Sequence, residues 1–339
     1  MKIFLKKPKK SDVLIYDKQS ISFAKYLFKK KSFITYDVRH ESINLNIFVK
    51  TLIKSGYKNF FLEYKKNFFQ SVNPKIVYTS IDNNVGFYKL KNLYPKAVYI
   101  ADQNGMRDNI FYNSCLKESK HTELKCDFFF VFGSFEKKRL EKLINSNFIV
   151  SGNTKNNLNF YNKTKRKKII IYISSKITNY TNLEKKIFFK LIKFCSINKY
   201  KLLYLDRPNQ NNSKVLYKIF SKNGWKYLSP KNLSERNLIL NKSDLVAFAH
   251  STLGHECLSR GYRCISFDYN RFNLAIKNQT GKYWCKPKNY NIVSEKIFKV
   301  MSYSSKEWNK ITNKNINKVL IYNKDNIIRK KIINNILKS

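Results

Sequence analysis

The sequence of 339 residues lacks the features that mark several large classes of protein. No apolar run approaches the roughly 18 residues that a membrane-spanning helix needs. The apolar stretch within the first ten residues is too short for the core of a signal peptide. The six cysteines form no C-x-x-C pair, so buried free thiols are expected, and disulfides or a zinc site are not. These absences predict a cytoplasmic location.

Motifs of common nucleotide and metal enzymes are also missing. The sequence has no Walker loop and no G-x-G-x-x-G, H-E-x-x-H or EF-hand pattern. Their absence argues against kinases, dehydrogenases of the dinucleotide-binding type and zinc hydrolases. There is no D-x-D pair that would bind a metal ion. We therefore expect a metal-independent reaction with no cofactor.

Acidic residues are scarce, with 22 Asp and Glu against 67 Lys and Arg, which gives a formal net charge of +45. A field of this size favours contact with an anionic membrane surface. Codon bias explains the same charge without any function, because Lys, Asn, Ile, Phe and Tyr share A/T-rich codons. The excess of lysine over arginine favours that explanation over phosphate recognition. No nucleic-acid recognition motif is present, so specific binding of nucleic acid is not expected.

The sequence does contain short apolar runs that alternate with stretches of helical length. Runs rich in Ile, Val, Tyr and Phe are typical of buried parallel strands. The predicted strands are residues 12–16, 32–36, 75–79, 96–100 and 127–132 in the first half, and 169–173, 201–205, 225–228, 245–249 and 263–268 in the second.

Two such series joined by a polar stretch predict an α/β protein with two doubly wound, Rossmann-like domains that face each other across a cleft. The expected boundaries are an N-terminal domain at residues 1–153, a linker at 154–168, a second domain at 169–320 and a C-terminal helix at 321–339.

Polar clusters follow the predicted strands of the first half, at the edge where parallel sheets bind ligands. His40 or Glu41, after the second strand, could act as a general base. Two structural roles that require no ligand remain open for these clusters. One is a solvated loop in which Glu41 caps the next helix, and the other is an Asx-turn at residues 82–84. The candidates of this half are Arg39, His40, Glu41, Asp82, Asn83, Asn84, Gln103, Asn104, Gly105 and Arg107.

The densest cluster, His250 to Glu256, follows the predicted strand 245–249. It opens a helix whose free N–H groups can bind a phosphate, and an acidic residue further along can accept hydrogen bonds from a ribose. A capping box of Ser251 and Glu256 is the alternative, but it leaves two histidines and a glycine unexplained. The candidates of this half are His250, Ser251, Thr252, Gly254 and Glu256, together with Asp206 after strand 201–205.

Several of these segments, in the same order, resemble the bacterial surface carbohydrate biosynthesis proteins of lipopolysaccharide and capsule gene clusters. The resemblance covers roughly residues 12–270. The matching segments are Pro74 to Val77, Ile81 to Asn84 with Phe87 and Tyr88, Gln103 to Gly105 with Arg107, Phe130 to Gly133, Ser151 to Asn153, and Ser251 to Gly254 with Glu256, Arg260 and Gly261.

This resemblance implies a GT-B glycosyltransferase, and more distantly it points to the CDP-glycerol polyol-phosphate transferases. In such proteins the second domain binds a nucleotide-activated donor and the first presents the acceptor. Ser251 and Thr252 would then hold the donor phosphate, Glu256 would bind the ribose, and His250 would lie near the leaving phosphate.

The implied reaction moves a sugar from a nucleotide-sugar donor, with a CMP-linked acidic sugar as one candidate. The acceptor would be a glycan or a lipid-linked glycan, and Glu41 or Asp82 would be its general base. Three alternatives remain open. They are a CDP-polyol phosphotransferase on the same fold, a nucleotide-sugar epimerase that needs no acceptor, and a basic nucleic-acid-binding protein with steeply salt-dependent affinity.

Overall fold

The computed structural model describes residues 2–28, 32–39, 42–57, 59–107, 109–158, 167–173, 181–206, 226–249, 251–267 and 282–338. The chain divides into two compact units, one formed by Met1–Leu158 with Asn323–Ser339 and the other by Asn159–Tyr322. Each unit contains a six-stranded sheet, and every strand pairing within these sheets is parallel. The expected α/β class with two Rossmann-like units is therefore confirmed.

The first unit opens with strands β1 (Lys2–Phe4) and β2 (Val13–Tyr16), helix α1 (Ile21–Leu27), and strands β3 (Phe33–Tyr36) and β4 (Ser42–Asn44). Helices α2 (Leu45–Ser55) and α3 (Phe60–Val72) then lead to β5 (Ile76–Thr79), α4 (Leu90–Leu93) and β6 (Val98–Asp102). Helix α5 (Asn109–Ser119), strand β7 (Lys125–Val131), helix α6 (Ser134–Leu140) and strand β8 (Asn145–Val150) follow.

The sheet of the first unit has the order β3-β2-β5-β6-β7-β8, while β1 and β4 form a separate two-stranded sheet. All residues of β2 and β5 are buried, which is the pattern of parallel strands covered on both faces. The strand order reverses between β2 and β5. In α/β sheets ligands bind at the carboxyl ends of the strands beside such a reversal.

The second unit contains β9 (Ile169–Ile173), α7 (Thr181–Asn198), β10 (Lys201–Leu205), β11 (Lys226–Leu228), α8 (Leu233–Asn241) and β12 (Leu245–Phe248). It continues with α9 (Thr252–Ser259), β13 (Cys264–Phe267), β14 (Trp284–Cys285), α10 (Tyr290–Ser302) and α11 (Ser305–Val319). The sheet order is β11-β10-β9-β12-β13-β14, the order of dinucleotide-binding Rossmann folds. Here the reversal falls between β9 and β12.

The last helix, α12 (Ile327–Lys338), belongs to the first unit although it follows the whole of the second in the chain. Its Ile333 is buried in the same apolar cluster as Val13 and Ile15 of β2. Just before the helix, the Nδ2 of Asn157 donates to the Oδ1 of Asn326 at 2.8 Å. The chain therefore returns to complete the core of the unit in which it began.

All six cysteines are buried and free. In the part of the chain that the structure describes, no helix is long and apolar enough to cross a bilayer.

Candidate functional site

Three of the residues predicted to act in catalysis, His40, Glu41 and His250, lie outside the described residues. The fourth, Asp82, and all predicted binding residues are described. They fall on the carboxyl side of the two sheets, and each unit is considered by itself below.

Ser251 lies where the strand order of the second unit reverses. It follows the end of β12 and is the N-cap of α9, with extended backbone angles of φ −140° and ψ 122°. Its carbonyl accepts the N–H of Gly254 at 3.0 Å, but its hydroxyl makes no capping hydrogen bond. The first N–H groups of a helix have no partner within the helix. The capping-box arrangement is therefore not formed, and the helix start retains the geometry of an anion site.

Gly254 has a packing reason to be glycine. A Cβ at this position would lie 2.1–2.4 Å from ring carbons of Phe248 in β12. Such a distance is far below van der Waals contact, so any larger residue would push α9 away from the sheet. The absence of a side chain at Gly254 therefore lets α9 pack closely against the strand that precedes it.

His255 is a core residue in the second unit. Its ring packs edge-on against Phe248 with 5.1 Å between the ring centroids. Burial lowers the pKa of His255 to about 4, and its Nδ1 has no hydrogen-bond partner in the structure. The imidazole is therefore neutral at physiological pH.

The two acidic candidates of the second unit are held by neighbouring side chains. The Oε2 of Glu256 lies 3.9 Å from the Nη2 of Arg236 in α8. Asp206 follows β10, and its N–H donates to the carbonyl of Leu228 at 2.9 Å. The hydroxyl of Tyr227 donates to the Asp206 carboxylate. Asp206 is thus held by a hydrogen bond, and Glu256 lies near a cation.

In the first unit, Asp82, Asn104 and Arg107 form one hydrogen-bonded cluster. The Nε of Arg107 donates to the Oδ2 of Asp82 at 2.7 Å, and its Nη2 donates to the Oδ1. The N–H of Asn104 donates to the same Oδ1 at 3.1 Å, while the Asn104 Oδ1 accepts from Arg107 at 2.7 Å. Burial raises the pKa of Asp82, and Arg107 opposes that rise. Because both carboxylate oxygens are occupied, this geometry suits Asp82 for positioning Arg107 better than for removing a proton.

The remaining candidates of the first unit take different positions. The Oε1 of Gln103 accepts the N–H of Phe132 at 2.8 Å, and its Nε2 donates to the carbonyl of Gly105 at 3.0 Å. This amide joins the ends of β6 and β7. Asn84 accepts the N–H of Gly86 at 3.1 Å, as in an Asx-turn. Asn83 is exposed.

Arg39 follows β3, at the carboxyl edge of the sheet of the first unit. Its side chain is half exposed, and its Nε is 3.5 Å from the Oδ2 of Asp17, which follows β2. Asp17 has a φ of 75°, a left-handed value that is unusual for a residue other than glycine. The pair lies at the ends of β2 and β3, beside the point where the strand order reverses.

Sequence reasoning missed Glu136, in the first turn of α6. The hydroxyl of Tyr112 donates to its Oε2 at 2.5 Å, while its Oε1 is buried without a hydrogen-bond partner. Burial raises the pKa of Glu136 to about 7. The charge of Asp82 also raises this pKa, whereas the charge of Arg107 lowers it. In the sequence, Glu136 lies in a short charged helix of the kind usually found on a protein surface. The only signal for a site residue is that this helix follows β7.

The fold just described is shared by several enzymes of known structure. The UDP-GlcNAc 2-epimerase of Neisseria meningitidis, bound to UDP-GlcNAc, has a TM-score of 0.59 at 12% identity and covers 100% of both chains. A sucrose-phosphate synthase of Thermosynechococcus elongatus has a TM-score of 0.55 at 10% identity, again over 100% of both chains. The wall teichoic acid polymerase TagF has a TM-score of 0.54 at 10% identity, over 97% of this chain and 89% of its own. The protein therefore shares the GT-B fold.

A family model described as "putative O-antigen biosynthesis protein" matches residues 178–337. No curated protein matches the sequence. The resemblance to surface carbohydrate biosynthesis proteins, which the sequence motifs indicated, is thus confirmed by the family model over the second half of the chain.

Proposed function

We propose that the protein is a glycosyltransferase that moves a sugar from a nucleotide-activated donor to a lipopolysaccharide or another cell-surface polysaccharide. The GT-B fold and the O-antigen family model support this function. The observation that carries the proposal is the position of Ser251, an N-cap without a capping hydrogen bond at the strand reversal of the second unit.

The donor phosphate binds at the start of α9. A helix N-terminus carries roughly half a positive charge, and the hydroxyls of Ser251 and Thr252 add hydrogen-bond donors. These groups stabilise the negative charge that grows on the leaving phosphate as the sugar departs. His250 lies next to them in the sequence and would donate to the same phosphate. Glu256 binds the ribose, and a CMP-linked sugar is the candidate donor.

The first unit binds the acceptor. Arg39 and the cluster of Asp82, Asn104 and Arg107 provide hydrogen-bond donors at the carboxyl ends of β3, β5 and β6. Glu41 is the proposed general base, because Asp82 is already engaged by Arg107 on both oxygens. Since the sequence has no D-x-D pair, the proposed reaction uses no metal ion and no cofactor.

The experiment is a thermal-shift screen of the full chain against CMP, CDP, UDP, GDP and ADP. A nucleotide at 100 times its Kd stabilises the folded state by about 2.7 kcal/mol and raises the Tm. Ser251→Ala with Thr252→Ala should abolish the shift produced by the best nucleotide. Ser302→Ala, on the exposed end of α10, is the matched control and should keep it. A double variant that binds the nucleotide as tightly as the wild type would refute the phosphate site.

A nucleotide-sugar epimerase is the second candidate function. The observation that favours it is the match over the full length of both chains to the N. meningitidis UDP-GlcNAc 2-epimerase. An epimerase converts a nucleotide sugar with no acceptor present, whereas a transferase needs one. Incubation with a single nucleotide sugar, followed by analysis of the sugar product, separates the two. A CDP-polyol substrate in the same assay tests for polyol-phosphate transfer.

A further inference from the structure

Exposed apolar side chains are concentrated near the start of the chain. The described residues include 17 large apolar side chains that are exposed. Nine of them lie between residues 3 and 62, namely Ile3, Phe4, Leu5, Leu45, Val49, Ile53, Tyr57, Phe61 and Leu62. A large exposed apolar patch on a protein marks a surface that binds a partner or a membrane.

Helix α2 has an exposed face of apolar side chains. Leu45, Val49 and Ile53 recur every four residues, so they lie on one face, and they are 40%, 45% and 82% exposed. Lys50 and Lys54 lie beside them, lining the same shallow groove. The inner face packs through other residues, among them the buried Ile47 and Thr51.

Strand β1 lies against the start of this helix. It pairs with β4, the strand that directly precedes α2. The Nδ2 of Asn44 donates to the carbonyl of Lys6 at 2.8 Å, and the Nδ2 of Asn46 donates to the carbonyl of Leu5. All three residues of β1 are exposed. Residues 2–10 and 42–57 thus form one continuous surface, called here the β1–α2 surface.

An aromatic cavity of about 340 Å³ adjoins this surface. Its lining includes Phe4, Phe48, Phe60, Phe61 and Tyr64. Phe4 and Phe61 are more than half exposed as well, so the apolar character of the surface continues into the cavity. This gives the surface an apolar recess in addition to the exposed face of α2.

The charge of the β1–α2 surface identifies the partner. Residues 2–10 and 42–57 contain seven lysines and no acidic residue. Lysines around an apolar helix face are the pattern of helices that lie in the interface of an anionic membrane. A second copy of this chain would bring seven further lysines against these seven, which disfavours self-association. We propose that the β1–α2 surface docks on a membrane rich in anionic lipids. This inference goes beyond the proposed glycosyl transfer and does not depend on it.

Flotation of the full chain with lipid vesicles tests the proposal. The wild type should bind vesicles of phosphatidylglycerol and phosphatidylcholine and should not bind vesicles of phosphatidylcholine alone. Lys50→Ala with Lys54→Ala should weaken binding about 30-fold, because each lysine near an anionic surface contributes about 1 kcal/mol and 1.4 kcal/mol is a factor of ten. Val49→Ser with Ile53→Ser should also weaken it at least tenfold.

The matched controls are Ile110→Ser with Leu116→Ser in α5 and Lys306→Ala with Lys310→Ala in α11, which change exposed residues of the same types. Both should bind the vesicles as the wild type does. Binding that the α2 variants leave unchanged, or binding that is equal on neutral vesicles, would overturn the proposal. So would a wild-type dimer that Val49→Ser with Ile53→Ser converts to a monomer with no change in vesicle binding. Nucleotide binding, measured separately, reports on the donor site alone.

Discussion

Arg329 and Asp102 form a wholly buried ion pair between the last helix and the end of β6. The guanidinium donates to the Asp102 Oδ1 from Nη2 at 2.9 Å and from Nε at 3.2 Å. Tyr78 and Thr154 donate to the other carboxylate oxygen at 3.0 Å and 2.5 Å. Arg329 also donates to the carbonyl of Ser151 at 2.7 Å. The pair therefore anchors α12 in the first unit.

Arg329→Ala should be strongly destabilising. Removing one partner of a buried ion pair leaves an uncompensated charge and typically costs about 3–5 kcal/mol. Urea unfolding, followed by circular dichroism, measures the change. Lys331→Ala, an exposed position of the same helix, should stay within about 0.5 kcal/mol of the wild type. An Arg329 variant as stable as the Lys331 variant would show that α12 does not need this anchor.

Gly254→Ala should destabilise the second unit by roughly 1–3 kcal/mol, because the added methyl group overlaps the ring of Phe248. Phe248→Leu in the same chain should recover part of this loss by making room. A double-mutant cycle from four unfolding curves gives the coupling free energy between the two positions. Additive effects, with no coupling, would contradict the contact.

Glu136 should make the protein less stable as the pH rises from about 4.5 to 7. Its pKa is raised from its ordinary value of 4.5 to about 7 in the folded state, so the folded state holds the proton in a range where the unfolded state has released it. Each pKa unit corresponds to about 1.4 kcal/mol, so the loss is roughly 3 kcal/mol. Glu136→Gln should remove it. Unfolding at pH 4.5, 6 and 7.5 measures the effect, with the exposed Glu141→Gln as a control that keeps the wild-type profile.

Protonation of His255 should make the protein less stable as the pH falls. Burial lowers its pKa from 6.5 to about 4, so the unfolded state takes up a proton before the folded state does. Stability from this group is complete above pH 6.5 and is lost as the pH falls towards 4. His255→Phe should flatten that decline, while His121→Gln, at an exposed position, should not. NMR titration of the His255 ring gives the midpoint directly, and a midpoint near 6.5 would contradict its burial.

Local sequence patterns were enough to predict most of the two large sheets. The predicted strands at 75–79 and 245–249 correspond to Ile76–Thr79 and Leu245–Phe248. These strands are buried on both faces, so they appear in the sequence as apolar runs without alternation. The polar residues that follow them were identified as candidates for the same reason, since a strand end is visible where the apolar run stops.

Features that depend on distant partners could not be predicted. Strand β1 has three exposed residues within a lysine cluster, and only its pairing with β4 makes it a strand. The partner of Arg329 lies 227 residues earlier in the chain. Asp82 and Arg107 were predicted as members of separate clusters, and their ion pair follows from the neighbouring positions of β5 and β6 in the sheet. The raised pKa of Glu136 depends on burial, which the sequence of a charged helix does not reveal.

The return of α12 to the first unit has a consequence for synthesis on the ribosome. The segment that seals the core around β2 is translated only after the entire second unit. While the second unit is being translated, Asp102 lacks its partner Arg329. The first unit can therefore complete its core only after the second unit has left the exit tunnel.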